Sequence, residues 1–93
     1  MIAKRNNQIT PDLIKTFKEK TIANKIPDSW YSINNGVKFN ACILVDNKSY
    51  WESFYFDEKG ETHNLNLFSN EDEALDYLWK QIERMMLLYK WNR

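Results

Sequence analysis

The side chains that most enzymes depend on are scarce in this chain. Its 93 residues include one histidine, one cysteine and two glycines. A zinc site with nitrogen or sulfur ligands needs several such side chains together, which His63 and Cys42 cannot supply alone. Two separate glycines, Gly36 and Gly60, cannot form a phosphate-binding loop. We therefore expect no metal site, no cofactor and no enzymatic activity.

The ionisable residues in the middle of the chain have structural interpretations. His63 alternates with Leu65 and Leu67, so we expect it on the core side of a strand, where histidine is more often structural than a base. Cys42 lies in an apolar run and is expected to be a buried thiol. Because it is the only cysteine, no internal disulfide can form. Glu52 interrupts an aromatic strand and is expected near a sheet edge or beside a partner group.

Charge is distributed unevenly along the chain, although the formal net charge is zero. Residues 57–76 carry seven acidic side chains against Lys59 alone, a net charge of −6. Residues 1–28 and residues 77–93 each carry a net charge of +3. The middle of the second half is therefore a concentrated acidic block.

About half of this acidic block has an ordinary explanation. Carboxylates in the first turn of a helix are favoured by the helix dipole, which accounts for residues 71–73 without any partner. The dipole does not account for Asp57, Glu58 and Glu61, which lie in a turn and at the start of a strand. A negative patch of this kind suits a basic protein partner.

The first element is predicted to be a helix. Thr10 can cap it, Pro11 suits its first position, and Asp12 meets the positive end of its dipole. Pro27 closes the segment. The inward stripe consists of Leu13, Ile14, Phe17 and Thr21.

An alternation of period two predicts strands at residues 37–45, 50–56 and 61–68. Short turns join them, and residues 30–33 form a possible fourth strand at the edge. Pairing Asp46 with Ser49, and Phe56 with Glu61, divides the side chains into two faces. The face expected to be the core holds Val37, Phe39, Ala41, Ile43, Val45, Tyr50, Phe54, Phe56, His63, Leu65 and Leu67. The other face is mostly polar, and Trp51 and Tyr55 are expected to stand exposed in it.

The last element is predicted to be a long helix. Ser69 or Asn70 caps it, and Asp72 or Glu73 completes a capping box. Its apolar stripe consists of Leu75, Leu78, Ile82, Met85, Met86 and Tyr89. The predicted fold class is therefore α+β: an N-terminal helix, a three- to four-stranded antiparallel meander and a long C-terminal helix. It forms two layers and a single domain spanning residues 1–93, with both helices on the same face of the sheet.

Targeting signals and nucleic-acid signatures are weak. The N-terminal residues have no apolar segment typical of a signal peptide, and the longest apolar run, residues 41–45, is far too short to span a membrane. We expect a cytoplasmic protein. The basic residues of the first helix are interrupted by acidic ones, which favours a solvated helix face over a nucleic-acid site. These basic residues are Lys15, Lys18, Lys20 and Lys25.

The order of parts in the second half is distinctive. An aromatic strand and an acidic glycine turn, SYWESFYFDEKGE, are followed by a leucine strand and a helix start, LNLFSNEDEAL. Residues 37–82 thereby resemble the small immunity proteins of bacterial polymorphic-toxin and contact-dependent growth inhibition systems. The resemblance implies a cytoplasmic protein that binds the C-terminal domain of one cognate toxin, often plugging a nuclease active site, and has no activity of its own.

Three hypotheses follow from the sequence. The first is an immunity protein that neutralises a basic toxin, an RNase or a DNase, without binding nucleic acid or membrane itself. Its partner-binding residues are then Asp57, Glu58, Glu61, Glu71, Asp72 and Asp76 for steering, with Trp51 and Tyr55 as anchors. The second is a nucleic-acid-associated regulator that uses the basic first helix. The third is a homodimer formed through the open sheet face, so the free protein is a monomer or a homodimer.

Overall fold

The computed structural model describes residues 12–91. Two helices and a four-stranded sheet confirm the predicted α+β architecture, with an N-terminal helix and a long C-terminal helix. In chain order the elements are α1 (Leu13–Ala23), a 3₁₀ turn (Asp28–Trp30), β1 (Tyr31–Ile33), β2 (Ala41–Asp46), β3 (Trp51–Phe56), β4 (Thr62–Phe68) and α2 (Glu71–Leu88). Within the described residues, neither helix is long and apolar enough to cross a membrane.

The sheet is mixed, whereas a purely antiparallel meander was expected. Its order is β1-β2-β3-β4; β2, β3 and β4 are antiparallel neighbours, but β1 runs parallel to β2. The chain turns after β1 at Asn34 and Gly36, both of which have positive φ. This turn leads into a return loop instead of a hairpin. Because β1 is only three residues long, about 10 Å, residues 34–40 suffice to bring the chain back to its start.

The strand register also differs from the expected one. Asp46 pairs with Trp51 and not with Ser49, because residues 47–50 form the turn. Phe56 pairs with Thr62 and not with Glu61, and a bulge then shifts the register further along β4. Within β2 and β3 the shift is two residues, an even number, so the predicted grouping of side chains by face survives there.

The helices cover the opposite face of the sheet from the one expected. The main core joins Cys42 and Leu44 of β2 to both helices, with Leu78 and Ile82 of α2 and Phe17 of α1. The expected core face carries no helix: Ala41 and Ile43 on it are buried, but Leu65 and Leu67 are exposed. Cys42 and the buried Ser53 both lie on the face that the helices cover. The Cys42 thiol lies 3.7 Å from the Met85 sulfur, and burial raises its pKa to about 11.

Both helices have defined ends. The Asp12 carboxylate caps α1 by accepting from the Lys15 amide at 3.0 Å; the expected cap, Thr10, and the adjoining Pro11 lie outside the described residues. Asn70 caps α2, as predicted, through the Glu73 amide at 2.8 Å. Two residues beyond each helix a lysine has positive φ, Lys25 after α1 and Lys90 after α2. The backbone amide that follows the lysine donates to the carbonyl oxygen five residues earlier, which is a Schellman motif.

Candidate protein-binding surface

The turn between β3 and β4 is organised around the Asp57 carboxylate. Its Oδ1 accepts hydrogen bonds from the backbone amides of Lys59, at 2.9 Å, and Glu61, at 2.8 Å. Its Oδ2 lies 2.6 Å from Nε2 of His63. The Glu61 amide, the His63 side chain and the Lys59 amide together hold the pKa of Asp57 below its ordinary value. Asp57 therefore shapes the turn, and Glu58 and Glu61 present their charges to solvent.

His63 does not lie in the core, as the sequence interpretation had it. Its side chain is 48% exposed and pairs with Asp57. The residue stands opposite Tyr55 in the sheet, on the other face from the one predicted, because of the changed register between β3 and β4. A histidine at this position is a surface group beside the acidic turn.

Three side chains of this turn are close enough to suit a divalent cation. One ligand atom each from Asp57, Glu61 and His63 lie within 4.8 Å of one another. The contacts have a sufficient explanation in the turn itself, because Asp57 already accepts two backbone amides and the histidine. We assign no metal to this cluster.

An aromatic pair lies directly beside the acidic turn. The rings of Phe39 and Phe56 are 5.5 Å apart. A Cβ atom built on Gly60 would lie 3.7 Å from both rings, so the backbone of the turn passes alongside them. Phe39 is 64% exposed. The acidic turn and an exposed aromatic side chain therefore share one corner of the molecule.

The uncovered face of the sheet extends from this corner. We call it the open face, and its apolar residues are Val37, Phe39, Val45, Phe54, Phe56, Leu65 and Leu67. Asn66 donates to the Tyr77 hydroxyl of α2 at 2.9 Å, so alternation along β4 directs Leu65 and Leu67 away from the helices. Their side chains are 57% and 56% exposed. Partly buried Phe54, Phe56 and Val45 complete an apolar surface.

The return loop covers only one part of the open face. Ser32 of β1 donates its hydroxyl to the Gly36 carbonyl oxygen at 2.7 Å, which places residues 34–40 across this side of the sheet. Ala41 and Ile43 beneath it are fully buried. The side formed by β3 and β4 has no such cover within residues 12–91, and the exposed apolar side chains of the open face lie there and on the loop itself.

The second acidic group lies at the start of α2, at the other end of β4. Glu71, Asp72 and Glu73 occupy the first helical turn, and Asp76 follows with an exposed contact of 3.3 Å to Lys80. Asp72 and Asp76 also line a shallow groove of about 180 Å³ between the helices, with Phe17 and Trp79. As predicted from the sequence, a strand of seven residues separates the two acidic groups, about 23 Å.

Trp51 and Tyr55, the expected aromatic anchors, do not stand on an open face. Both are partly buried and pack against the core that the helices cover. Burial raises the pKa of the Tyr55 hydroxyl, and the neighbouring Tyr89 and Cys42 raise it further. Their predicted position was wrong because it assumed that the helices cover the other face. The aromatic side chains on the open face are Phe39, Phe54 and Phe56.

The basic residues of α1 form no continuous stripe. Lys20 places its Nζ 4.2 Å above the Trp79 ring, and Lys25 lies beyond the end of the helix with positive φ. Lys15 and Lys18 are exposed, and Glu19 lies among them. The interrupted spacing of these lysines corresponds to the solvated helix face that the sequence favours.

Comparison of the chain with protein-family models, with curated proteins and with solved structures found no match. The arrangement of side chains is therefore the basis for inferring what the protein does.

Exposure of Phe39, Leu65 and Leu67 is the feature that the sequence interpretation missed. Their alternation groups these residues as one apolar set, but it predicts them in the interior. One signal was present: β2 is apolar on both faces, so either side of the sheet could have received the helices.

Proposed function

We propose that the protein is an immunity protein. It binds and neutralises a cognate bacterial toxin domain, a basic nuclease acting on RNA or DNA, by covering the nuclease active site in the cytoplasm. The observation that carries the proposal is the open face with the acidic turn at its corner. The resemblance of residues 37–82 to immunity proteins supplies the class of partner.

The open face supplies the apolar part of such an interface. Phe39, Leu65 and Leu67 are each more than half exposed on one side of a small protein. Contiguous apolar surface of this kind is typical of sites that bind another protein. Aromatic side chains at the centre of an interface commonly carry much of the binding energy, so Phe39 and its neighbour Phe56 are the proposed anchors.

The acidic residues supply the attraction to a basic partner. Glu58 and Glu61 are exposed at the turn, and Asp72 is exposed at the start of α2. Charges at the rim of an interface mainly raise the rate of association and contribute less to the lifetime of the complex. In this proposal the carboxylates steer the toxin, and the open face holds it.

The test is inhibition of the toxin domain encoded beside this protein. The purified protein is added to that domain, and nuclease activity is measured with the Phe39→Ser/Leu67→Ser variant for comparison. We expect the native protein to abolish the activity, and the variant to inhibit at least about tenfold less well, because each serine removes apolar contact.

A matched control is available on α2. Leu87 and Leu88 are 81% and 71% exposed, and the Leu87→Ser/Leu88→Ser variant removes a similar apolar area far along the helix. It should inhibit like the native protein. Failure of the native protein to bind or inhibit the toxin domain would refute the proposed function.

A further inference from the structure

The outer edge of β4 has no neighbouring strand within the described residues. β4 is the last strand of the sheet and pairs on one side only, with β3. Exposed sheet edges are usually protected by lysine, by proline, by an inward charge or by a β-bulge that twists the edge. The seven residues of β4, THNLNLF, contain no lysine, arginine, aspartate, glutamate or proline. The composition of this edge is that of a strand that can accept another.

One irregularity divides the edge. Asn64 has a φ of 58°, and the register shifts by one residue between Tyr55 opposite His63 and Ser53 opposite Asn66. The Asn64 carbonyl oxygen accepts a hydrogen bond from the Asn66 side chain at 3.0 Å. A bulge of this kind twists the edge locally. On both sides of the bulge, at residues 62–63 and at residues 66–68, β4 keeps its pairing with β3 and therefore its strand conformation.

Negative charge lies at both ends of the edge. The acidic turn precedes Thr62, and the first turn of α2 begins three residues after Phe68. Between residues 57 and 76 the only lysine or arginine is Lys59, and the one histidine, His63, lies against the Asp57 carboxylate. A neutral strand about 23 Å long is therefore framed by two groups of carboxylates.

We infer that β4 accepts an extended segment of the partner as a fifth strand, and that this segment carries lysine or arginine at both ends of about seven neutral residues. Backbone hydrogen bonds supply affinity in strand addition, and the flanking charges select the segment. The inference rests on the proposed function, because the segment belongs to the toxin domain. It adds the recognition mode and the chemistry of the recognised segment.

A second copy of this chain fits the edge poorly. If two β4 strands paired antiparallel, the acidic turn of one copy would lie beside the acidic start of α2 in the other. Like charges placed opposite each other oppose association. A segment with basic ends meets the opposite charge at both positions, so the basic partner is the occupant that the charges favour.

The inference is tested with a synthetic probe whose chemistry is defined. The probe is an eleven-residue peptide with Lys-Arg at one end, Arg-Lys at the other, and seven alternating threonines and valines between them. Binding is followed by nuclear magnetic resonance on the native protein, together with hydrogen exchange of each backbone amide. We expect submillimolar binding and slowed exchange of amides in β4 that exchange fast in the free protein.

Two control peptides separate the backbone contribution from the charge contribution. The first keeps the side chains and replaces the central amides by esters, which removes the backbone donors. The second carries glutamate in place of every lysine and arginine. Each should bind at least about tenfold more weakly than the probe. Equal binding of the ester peptide, protection confined to residues outside β4, or no binding of the probe at about 1 mM would each overturn the inference.

Failure of the inference is distinguishable from failure of the proposed function. If the toxin domain is inhibited but exchange of the β4 amides is unchanged in that complex, strand addition is wrong and the immunity role stands. If the toxin domain is neither bound nor inhibited, the proposed function is wrong. If the free protein sediments as a dimer with β4 amides protected, the edge is occupied by a second copy and the inference is wrong.

Discussion

Leu44 and Leu67 are two leucines on opposite faces of the same sheet that should respond very differently to truncation. Leu44 of β2 is fully buried beneath the helices, whereas Leu67 of β4 lies on the open face and is 56% exposed. The pair therefore tests which face of the sheet is the core. We compare the Leu44→Ala and Leu67→Ala variants.

The expected magnitudes follow from burial. Removing a fully buried leucine side chain costs about 2–5 kcal/mol, because the lost transfer energy is accompanied by a cavity. Leu67 is 56% exposed, so only 44% of it is covered. Burying a whole leucine side chain contributes roughly 1.5–3 kcal/mol, and the covered part of Leu67 therefore contributes about 1 kcal/mol. Truncation there leaves no closed cavity.

The assay is equilibrium unfolding in urea, which yields the free energy of unfolding of each variant. Leu67→Ala should lower it by at most about half as much as Leu44→Ala. If Leu44→Ala does not fold, its loss exceeds the stability of the whole protein, whereas Leu67→Ala should still fold with a loss of about 1 kcal/mol. An equal or larger loss for Leu67→Ala than for Leu44→Ala would refute the assignment of the open face.

Three further predictions concern local features. Lys25 has a φ of 58° just after α1, so Lys25→Gly should raise the free energy of unfolding by about 1 kcal/mol. Lys18→Gly inside the helix should lower the free energy of unfolding by a similar amount. The same effect from both substitutions would contradict the Schellman motif. With its pKa at about 11, the Cys42 thiol is about 0.1% thiolate at pH 8, whereas an ordinary thiol is about 24% thiolate. Alkylation of Cys42 should therefore be at least about a hundredfold slower in the native protein than in urea. Similar alkylation rates in the two conditions would contradict the burial of Cys42. Because its pKa in the folded protein is lowered, Asp57 stabilises the turn above its unfolded pKa, and this contribution is lost as pH falls through the folded value. The amide resonance of Lys59 should titrate with a midpoint below about 3.9, and a titration that persists in the Asp57→Asn variant would exclude Asp57 as its cause.

The helices were predictable because their signals are local. Asn70 lies three residues before the amide that it caps, and the stripe of Leu75, Leu78 and Ile82 repeats with the period of a helix. Local capping and periodicity do not depend on how the rest of the chain folds. Only the cap of α1 differed: Asp12 caps the helix, and it had been assigned to the helix dipole.

The covered face of the sheet was not predictable from alternation. Ala41, Cys42, Ile43 and Leu44 are all buried, so β2 is apolar on both sides and its pattern cannot indicate where the helices lie. The decision depends on tertiary packing between the sheet and the helices, which the strand pattern does not contain. The direction of β1 was missed for a similar reason, because a turn at Asn34 is compatible with both a hairpin and a return loop.

The candidate site was predictable in its charge and not in its apolar part. Gly60 and the surrounding carboxylates indicated an exposed acidic turn, and the structure places Glu58 and Glu61 there. The prediction of the apolar part depended on which face the helices cover. It named Trp51 and Tyr55, whereas the structure supplies the apolar residues of the open face. The acidic turn and the apolar residues of the open face are separate features of the sequence, and only the folded protein brings them together.

The most direct test of partner binding is the association rate of the toxin domain with charge-reversed variants. Glu58→Lys/Glu61→Lys reverses two charges of the acidic turn and leaves Asp57 in place. Glu19→Lys/Glu83→Lys makes the same change of net charge at exposed positions on the two helices. At low ionic strength, the turn variant should associate at least about tenfold more slowly than the native protein and with a flatter salt dependence. The helix variant should be slowed much less. Equal association rates for the two variants would contradict recognition of a basic partner at the acidic turn.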